Sequence, residues 1–196
     1  SRLLAGEGYR CGLSGKWHLG DSLHPQLGFS YWYTKPKGHT ASFYGDEAIW
    51  EGDVHRVEGY YLEAITEHAI DFLEGPQDAP FFLYVGYNGP YGLDQDMREG
   101  HRNQYASYYA DKELKCFPRE DAHPWLKKNR DCINNPVVRQ SYAAAVSGVD
   151  ENVGRLMEAL AELELENDTL VMFTADHGLC GGQHGWWGMS DHGRPR

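Results

Sequence analysis

Two stretches of this chain keep an apolar face at three- and four-residue steps, and two short runs are apolar or aromatic without a polar break. From Gly59 to Leu73, the positions Leu62, Ile65, Ala69, Phe72 and Leu73 predict an amphipathic helix, stopped by Gly75-Pro76. Tyr142, Val146, Val149, Val153, Leu156, Leu160 and Leu163 predict a second helix of more than about five turns. The runs Pro80-Phe-Phe-Leu-Tyr-Val-Gly-Tyr87 and Thr169-Leu-Val-Met-Phe-Thr174 have the pattern of strands buried on both faces. Residues 1–8 read as a helix end, with Gly6 and Gly8 as stop signals, and Tyr9–Ser14 as a short strand between glycines. Residues 20–57, rich in Gly, Pro, His and aromatics, and the polar and aromatic stretch 88–134 show no period and read as long ordered loops.

Helix, strand, helix, strand in this order predicts an α/β fold, with a mostly parallel central sheet flanked by helices. At 196 residues the chain has the length for one domain with a substantial core. Ligands of open sheets of this kind sit at the carboxyl ends of the strands. Asn88–Gly92 and Asp176–Met189 occupy that place.

A formal charge of -11 repels phosphate backbones, and the densest basic spot is only Lys127, Lys128 and Arg130, which argues against nucleic-acid binding. The 13 Tyr and 6 Trp gather in the loop-like stretches, where they either line a pocket or wedge loops onto the core. Cys11, Cys116, Cys132 and Cys180 form no C-x-x-C pair and leave the redox compartment open. No apolar run approaches the roughly 20 residues of a membrane span. The chain begins at Ser1, inside what reads as a helix, and ends in Arg-Pro-Arg, so both ends read as cut and the missing signal peptide says nothing about export.

Two segments carry chemistry. In Gly12-Leu-Ser-Gly15-Lys16-Trp17-His18-Leu-Gly20, an extended backbone would point Lys16 and His18 the same way, to hold an anion and move a proton. The phosphate-loop pattern fails, because Arg10 and Trp17 stand where Gly and Ser or Thr are required. A surface lysine beside a packed histidine is the plain alternative. In Phe173-Thr-Ala-Asp176-His177-Gly178 and the following Gly182-Gln-His-Gly-Trp-Trp-Gly188, a carboxylate and an imidazole at a strand end suit a divalent cation. His177, Cys180 and His184 also spell a possible structural zinc run, and solvated histidines on a loop are the third reading.

The stretch Gly8-Tyr9-Arg-Cys-Gly-Leu-Ser-Gly-Lys-Trp-His-Leu-Gly20 closely resembles the sulfatase signature G-Y-x-T-x-x-x-G-K-W-H-x-G, with Cys11 where Thr is usual. The second segment resembles F-T-S-D-H-G-x-x-x-G-x-H-G-x-W-G-K of the same family, which lies in the alkaline-phosphatase-like superfamily. Gly59-Tyr-Tyr, Pro80-Phe-Phe-Leu-Tyr and Tyr142–Gly154 match further landmarks in order and spacing, so the resemblance spans nearly the whole chain. It implies an alkaline-phosphatase-like fold and hydrolysis of a sulfate monoester on a small molecule or saccharide, as in arylsulfatases, choline sulfatases or iduronate sulfatases. It also implies one divalent cation, most often Ca2+ with Mn2+ or Mg2+ possible, held by Asp176 and His177, with Lys16 and His18 catalytic. Lys16 would neutralise charge on the transferring group, and His18 would accept a proton from formylglycine. Phosphate or phosphonate ester hydrolysis and a non-catalytic binding protein are the alternatives. Many family members are exported.

The family's nucleophile motif, C/S-x-P/A-x-R, is absent. Cys116-Phe-Pro-Arg119 is one residue short of it and lies downstream of the Gly-Lys-Trp-His segment. The early pair of metal-binding aspartates is absent too, so the chain reads as an internal part of one catalytic domain and is expected not to turn over by itself. Two positions depart from the pattern. Gly89-Pro90-Tyr91-Gly92 stands where P-H-x-P is usual, which makes Tyr91 the substrate-binding candidate. Met189 stands where the family has Lys, and His184 or His192 could supply a shifted donor. Loss of one such donor typically costs about 10²- to 10³-fold in rate.

Overall fold

The computed structural model describes residues 1–36, 42–92 and 95–188. In chain order the elements are α1 (Arg2–Gly6), β1 (Arg10–Gly15), β2 (Tyr31–Thr34), β3 (Glu47–Trp50), β4 (Asp53–Arg56), α2 (Tyr61–Glu74) and β5 (Phe81–Gly86). The short helices α3 (Gln95–Glu99) and α4 (Ala106–Tyr109) follow, then α5 (Pro136–Glu162), with 3-10 turns at Arg130–Cys132 and Gln183–Gly185. The residues divide into two compact units: Ser1–Gly89 with Val149–Thr169, and Pro90–Gly148 with the chain from Leu170 onward.

The first unit holds a five-stranded sheet in the order β4-β3-β2-β1-β5. β1 pairs parallel with β2 and with β5, while β2–β3 and β3–β4 are antiparallel. The sheet is thus mixed, with its parallel part confined to the three strands around β1. The antiparallel part lies inside the 20–57 stretch that reads as a loop in the sequence. Its strands are only four residues each, too short to establish an alternation. The β3–β4 hairpin turns on Glu51 and Gly52, with φ of 51° and 86°, the pair of positive values that a tight type I′ connection needs. β4 is exposed along its whole length, and its Asp53, His55 and Arg56 suit an edge strand.

β1 is central, and Cys11 through Gly15 are buried. Cys11 and Leu13 pack on one face with Trp17, Phe29 and Trp32. On the other face α2 lies close, for a reason written in the strand: a Cβ on Gly12 would meet the Phe72 ring at 2.6 Å. The Ser14 hydroxyl donates to the Ile65 carbonyl at 2.6 Å. Burial on α2 falls on Tyr61, Leu62, Ile65, Thr66, Ala69, Phe72 and Leu73, the face that the periodicity predicts. Fully burying a side chain such as Leu13 or Ile65 contributes about 1.5–3 kcal/mol.

α5 begins six residues before the first position of its predicted apolar face. Pro136 takes its first turn, and the Asn135 carboxamide oxygen accepts from the Val137 and Val138 amides. Its buried stripe runs through Val138, Ser141, Ala145, Val149, Asn152 and Leu160, so Val146 of the predicted face points outward, 43% exposed.

Two strand expectations change. β5 is half-buried rather than enclosed, because among the described residues it forms an edge of the sheet. Thr169–Thr174 forms no strand, and Leu170, Met172 and Phe173 are 84%, 78% and 76% exposed. Its composition suits a buried strand, but strand structure exists only where a neighbour completes the ladder, and no described strand lies alongside. No helix among the described residues is long and apolar enough to cross a membrane.

Candidate active site

In the first unit, β1 delivers Lys16 and His18 to the carboxyl ends of the parallel strands. The register places Gly15 opposite both Thr34 of β2 and Gly86 of β5. Gly15 has φ of +115°, and a Cβ there would lie 2.2 Å from the Gly86 carbonyl oxygen. Glycine is therefore required for β1 and β5 to close on one another at this end. The Lys16 amide then donates to the Gly86 carbonyl at 2.8 Å, which fixes the backbone of the lysine. Trp17 is buried edge-on against Trp32, with ring centroids 5.1 Å apart, and its indole N–H donates to the Leu19 carbonyl at 3.2 Å. This anchored ring separates a half-buried Lys16 from an exposed His18.

A second lysine stands at the same strand end and carries no motif signal. Lys35 follows β2 directly, is 1% exposed, pairs with the Asp46 carboxylate and lies 4.8 Å from the centre of the Tyr61 ring. Burial pulls its ammonium down to about 8, against the pull of Glu47 and with help from the charge of Lys16. Lys16 and Lys35 are thus close enough to feel each other. Lysine at the end of a Tyr-Trp-Tyr-Thr run was the available clue, since a charge continuing a buried strand needs a partner.

The second unit holds Tyr91, Asp176 and His177. Asp176 and His177 are exposed and Tyr91 is half-buried. The loop after His177 folds back on itself: the Cys180 amide donates to the Gly188 carbonyl at 2.9 Å, and the Gly182 amide to that of Trp186 at 2.8 Å. Its glycines let it seat on residues 117–123. A Cβ on Gly185 would lie 2.1 Å from the Asp121 carbonyl oxygen, and the His123 amide donates to the Gly185 carbonyl at 3.0 Å. Trp186 stacks on His123 and Trp187 on Phe117. The Trp187 indole N–H donates to the Gly92 carbonyl at 2.8 Å, and Gly92 lies against Leu179. The loop of Tyr91 is thereby tied to the loop of Asp176 and His177. Here the aromatics wedge loops together, the second of the two roles that their distribution allows.

Asp176 and His177 are donors of the kind a hard divalent cation accepts. Among the described residues, however, no three His, Cys, Asp or Glu side chains come together to hold a metal ion. They fit as two ligands of a larger set. The same finding removes the zinc reading, since His177, Cys180 and His184 do not converge, and none of the four cysteines is in a disulfide. His184 is exposed in a left-handed conformation with φ of 55°. Met189 and His192 lie outside the described residues.

Compared with known proteins, the chain matches the Sulfatase family over residues 1–193. It is 33% identical to human iduronate 2-sulfatase over 144 residues, covering 62% of this chain and 26% of that protein. It is 25% identical to the N-acetylglucosamine-6-O-sulfatase of Bacteroides thetaiotaomicron, covering 95% of this chain and 45% of that protein. The chain therefore spans less than half the length of these relatives. A crystal structure of the Bacteroides fragilis protein yidJ, described as a sulfatase, superposes with a TM-score of 0.75 at 28% identity, over 92% of this chain and 43% of that one. The fold is the α/β, alkaline-phosphatase-like fold of these proteins.

Proposed function

Because this chain belongs to the Sulfatase family, we propose that the protein carrying it is a sulfuric ester hydrolase that cleaves a sulfate monoester on a saccharide, and that residues 1–196 are part of its single catalytic domain. The observation that carries this reading is the Gly15-Lys16-Trp17-His18 segment. It is held at the carboxyl end of a central strand by a glycine contact, a backbone hydrogen bond and a buried tryptophan. Saccharides are favoured because the similar proteins from human and Bacteroides thetaiotaomicron are named for iduronate and N-acetylglucosamine sulfates.

The family uses a metal ion and formylglycine, which supply the Lewis acid and the nucleophile. In our reading the ion is calcium, with Asp176 and His177 as two of its ligands. Lys16 offsets the negative charge that grows on the transferring sulfuryl group or the leaving oxygen, an electrostatic contribution that a fixed ammonium makes without reorganising. His18 serves as the proton acceptor, and its imidazole is exposed at the end of the strand. Tyr91 takes the place of a cationic donor with a neutral hydroxyl, which can orient a sulfate or leaving-group oxygen but adds no charge.

The test is hydrolysis by the full-length protein of glucosamine 6-sulfate against glucosamine 6-phosphate. The sulfate ester is expected to turn over faster, and Lys16→Ala to lower that rate about 10²- to 10³-fold. Preference for the phosphate would replace this reading with a phosphate or phosphonate ester hydrolase. Turnover of neither ester, or of nothing that Lys16→Ala slows, would sink the assignment of Lys16.

A further inference from the structure

Arg139 lies in the first turn of α5 and is 7% exposed, yet among the described residues its guanidinium makes no hydrogen bond. Its Nε and Nη1 are sealed from solvent without an acceptor. A guanidinium cannot shed its proton in a protein, so the site holds a permanent charge with unused donors. Burial pulls its pKa down and Arg119 adds to this, while Glu113 opposes them. Among the described residues no carboxylate is bonded to it.

The surroundings are organised without satisfying it. The Asn135 carboxamide already accepts from the two helix amides beside it, so no carboxamide oxygen turns to the arginine. Gln140, next along the helix, donates to the Lys112 carbonyl at 3.1 Å and ties down the 112–119 segment. Arg119 in that segment is exposed, and its Nη2 donates to the Glu113 carbonyl at 2.7 Å. The two residues before it, Phe117 and Pro118, carry the loop of Gly181 and Gly182. One arginine is therefore buried and the other exposed, the second beside residues that pack on the loop following His177.

Buried charges in proteins are paired or bind a ligand. We propose that Arg139 and Arg119 form a second anion site, which takes an oxyanion group, sulfate or carboxylate, of a multiply charged saccharide. The proposal rests on the saccharide reading above. Such a site would grip a charge on the sugar other than the ester being cleaved, and would select chains carrying more than one. Arginine suits it better than lysine, because its planar donors match the oxygens of either group.

The site is tested by binding rather than turnover, so a protein that hydrolysed no sulfate ester could still fill it. In the full chain, the arginine Nε–H signals are followed by nuclear magnetic resonance, with Arg139→Lys identifying the Arg139 signal. Sodium sulfate and sodium acetate are titrated separately, with sodium chloride holding the ionic strength. The expected result is a saturable shift of the Arg139 signal with sulfate or acetate, and the tighter of the two names the group. Arg119→Gln, on an exposed side chain, is expected to raise the midpoint several-fold and leave other signals in place, so the test stands even if Arg139→Lys does not fold. No saturable shift up to roughly 100 mM, far above a millimolar site, would overturn the proposal, as would an equal response to chloride.

Discussion

Acidification should destabilise the second unit through one histidine. His101 is 5% exposed, and its backbone amide donates to the Ser141 hydroxyl on α5 at 3.1 Å. Burial pushes its imidazole down to about 4; Asp96 pulls the other way and Arg102 adds to the depression. An unfolded histidine binds its proton near 6.5, so between 6.5 and 4 the unfolded chain holds more protons than the folded one. Stability must then fall as pH falls through that window and be fully present above it. Integrating the difference from pH 7 to pH 4.5, with RT of about 0.6 kcal/mol, gives about 2 kcal/mol lost through this side chain. Other groups titrate in the same range, so the measurement is a difference: urea unfolding of the native chain and of His101→Gln at several pH values. The fixed cost of the substitution cancels, and only the slope remains. A gap between the two proteins that narrows by about 2 kcal/mol on acidification is expected. A gap that stays constant would mean that His101 is not held neutral by burial, and the reasoning would fail.

Two further perturbations probe how the motif residues are held. Trp187→Phe removes the indole N–H and leaves the Gly92 carbonyl without its donor in a buried place; a loss of about 1–3 kcal/mol is expected. Hydrogen exchange at Tyr91 and Gly92 should quicken with it, and unchanged exchange would show that the bond does not anchor the loop. Gly15→Ala sets a Cβ 2.2 Å from the Gly86 oxygen at a φ of +115°, which is expected to cost more than about 3 kcal/mol and to part the ends of β1 and β5. A thermal midpoint within a few degrees of the native value would contradict the glycine contact.

The two long helices and the paired strands β1 and β5 were legible because each carries a local signature. α2 shows its period in five apolar positions, and Gly75-Pro76 ends it. Where the register of a helix is set by a neighbour instead, the reading drifts. In α5 the buried stripe includes Ser141 and Asn152, polar residues that no hydrophobic count selects, and it leaves Val146 outside. The hairpin of β3 and β4 was hidden by brevity, although Glu51-Gly52 is the kind of pair that a tight turn requires. Thr169–Thr174 went the other way. Its composition describes what the segment could pair with, and pairing belongs to the neighbour as much as to the segment.

The candidate site divides along the same line. Lys16, His18, Asp176 and His177 stood out because the glycines and tryptophans around them repeat a pattern, and the structure gives those glycines a physical task. Gly12, Gly15 and Gly185 each sit where a side chain would strike a neighbour. A motif of this kind is therefore a record of close approaches, with its polar residues carried at fixed distances from them. Lys35 and Arg139 have no such frame. What distinguishes them is burial, 1% and 7% exposed, and burial is decided by the folded chain rather than by the local sequence, as Tyr61 and Asp46 show for Lys35. Lys35 has found its carboxylate, whereas among the described residues Arg139 has not. A charge that the fold encloses and leaves unmatched is costly to keep, which is the physical reason to look for its partner in a ligand.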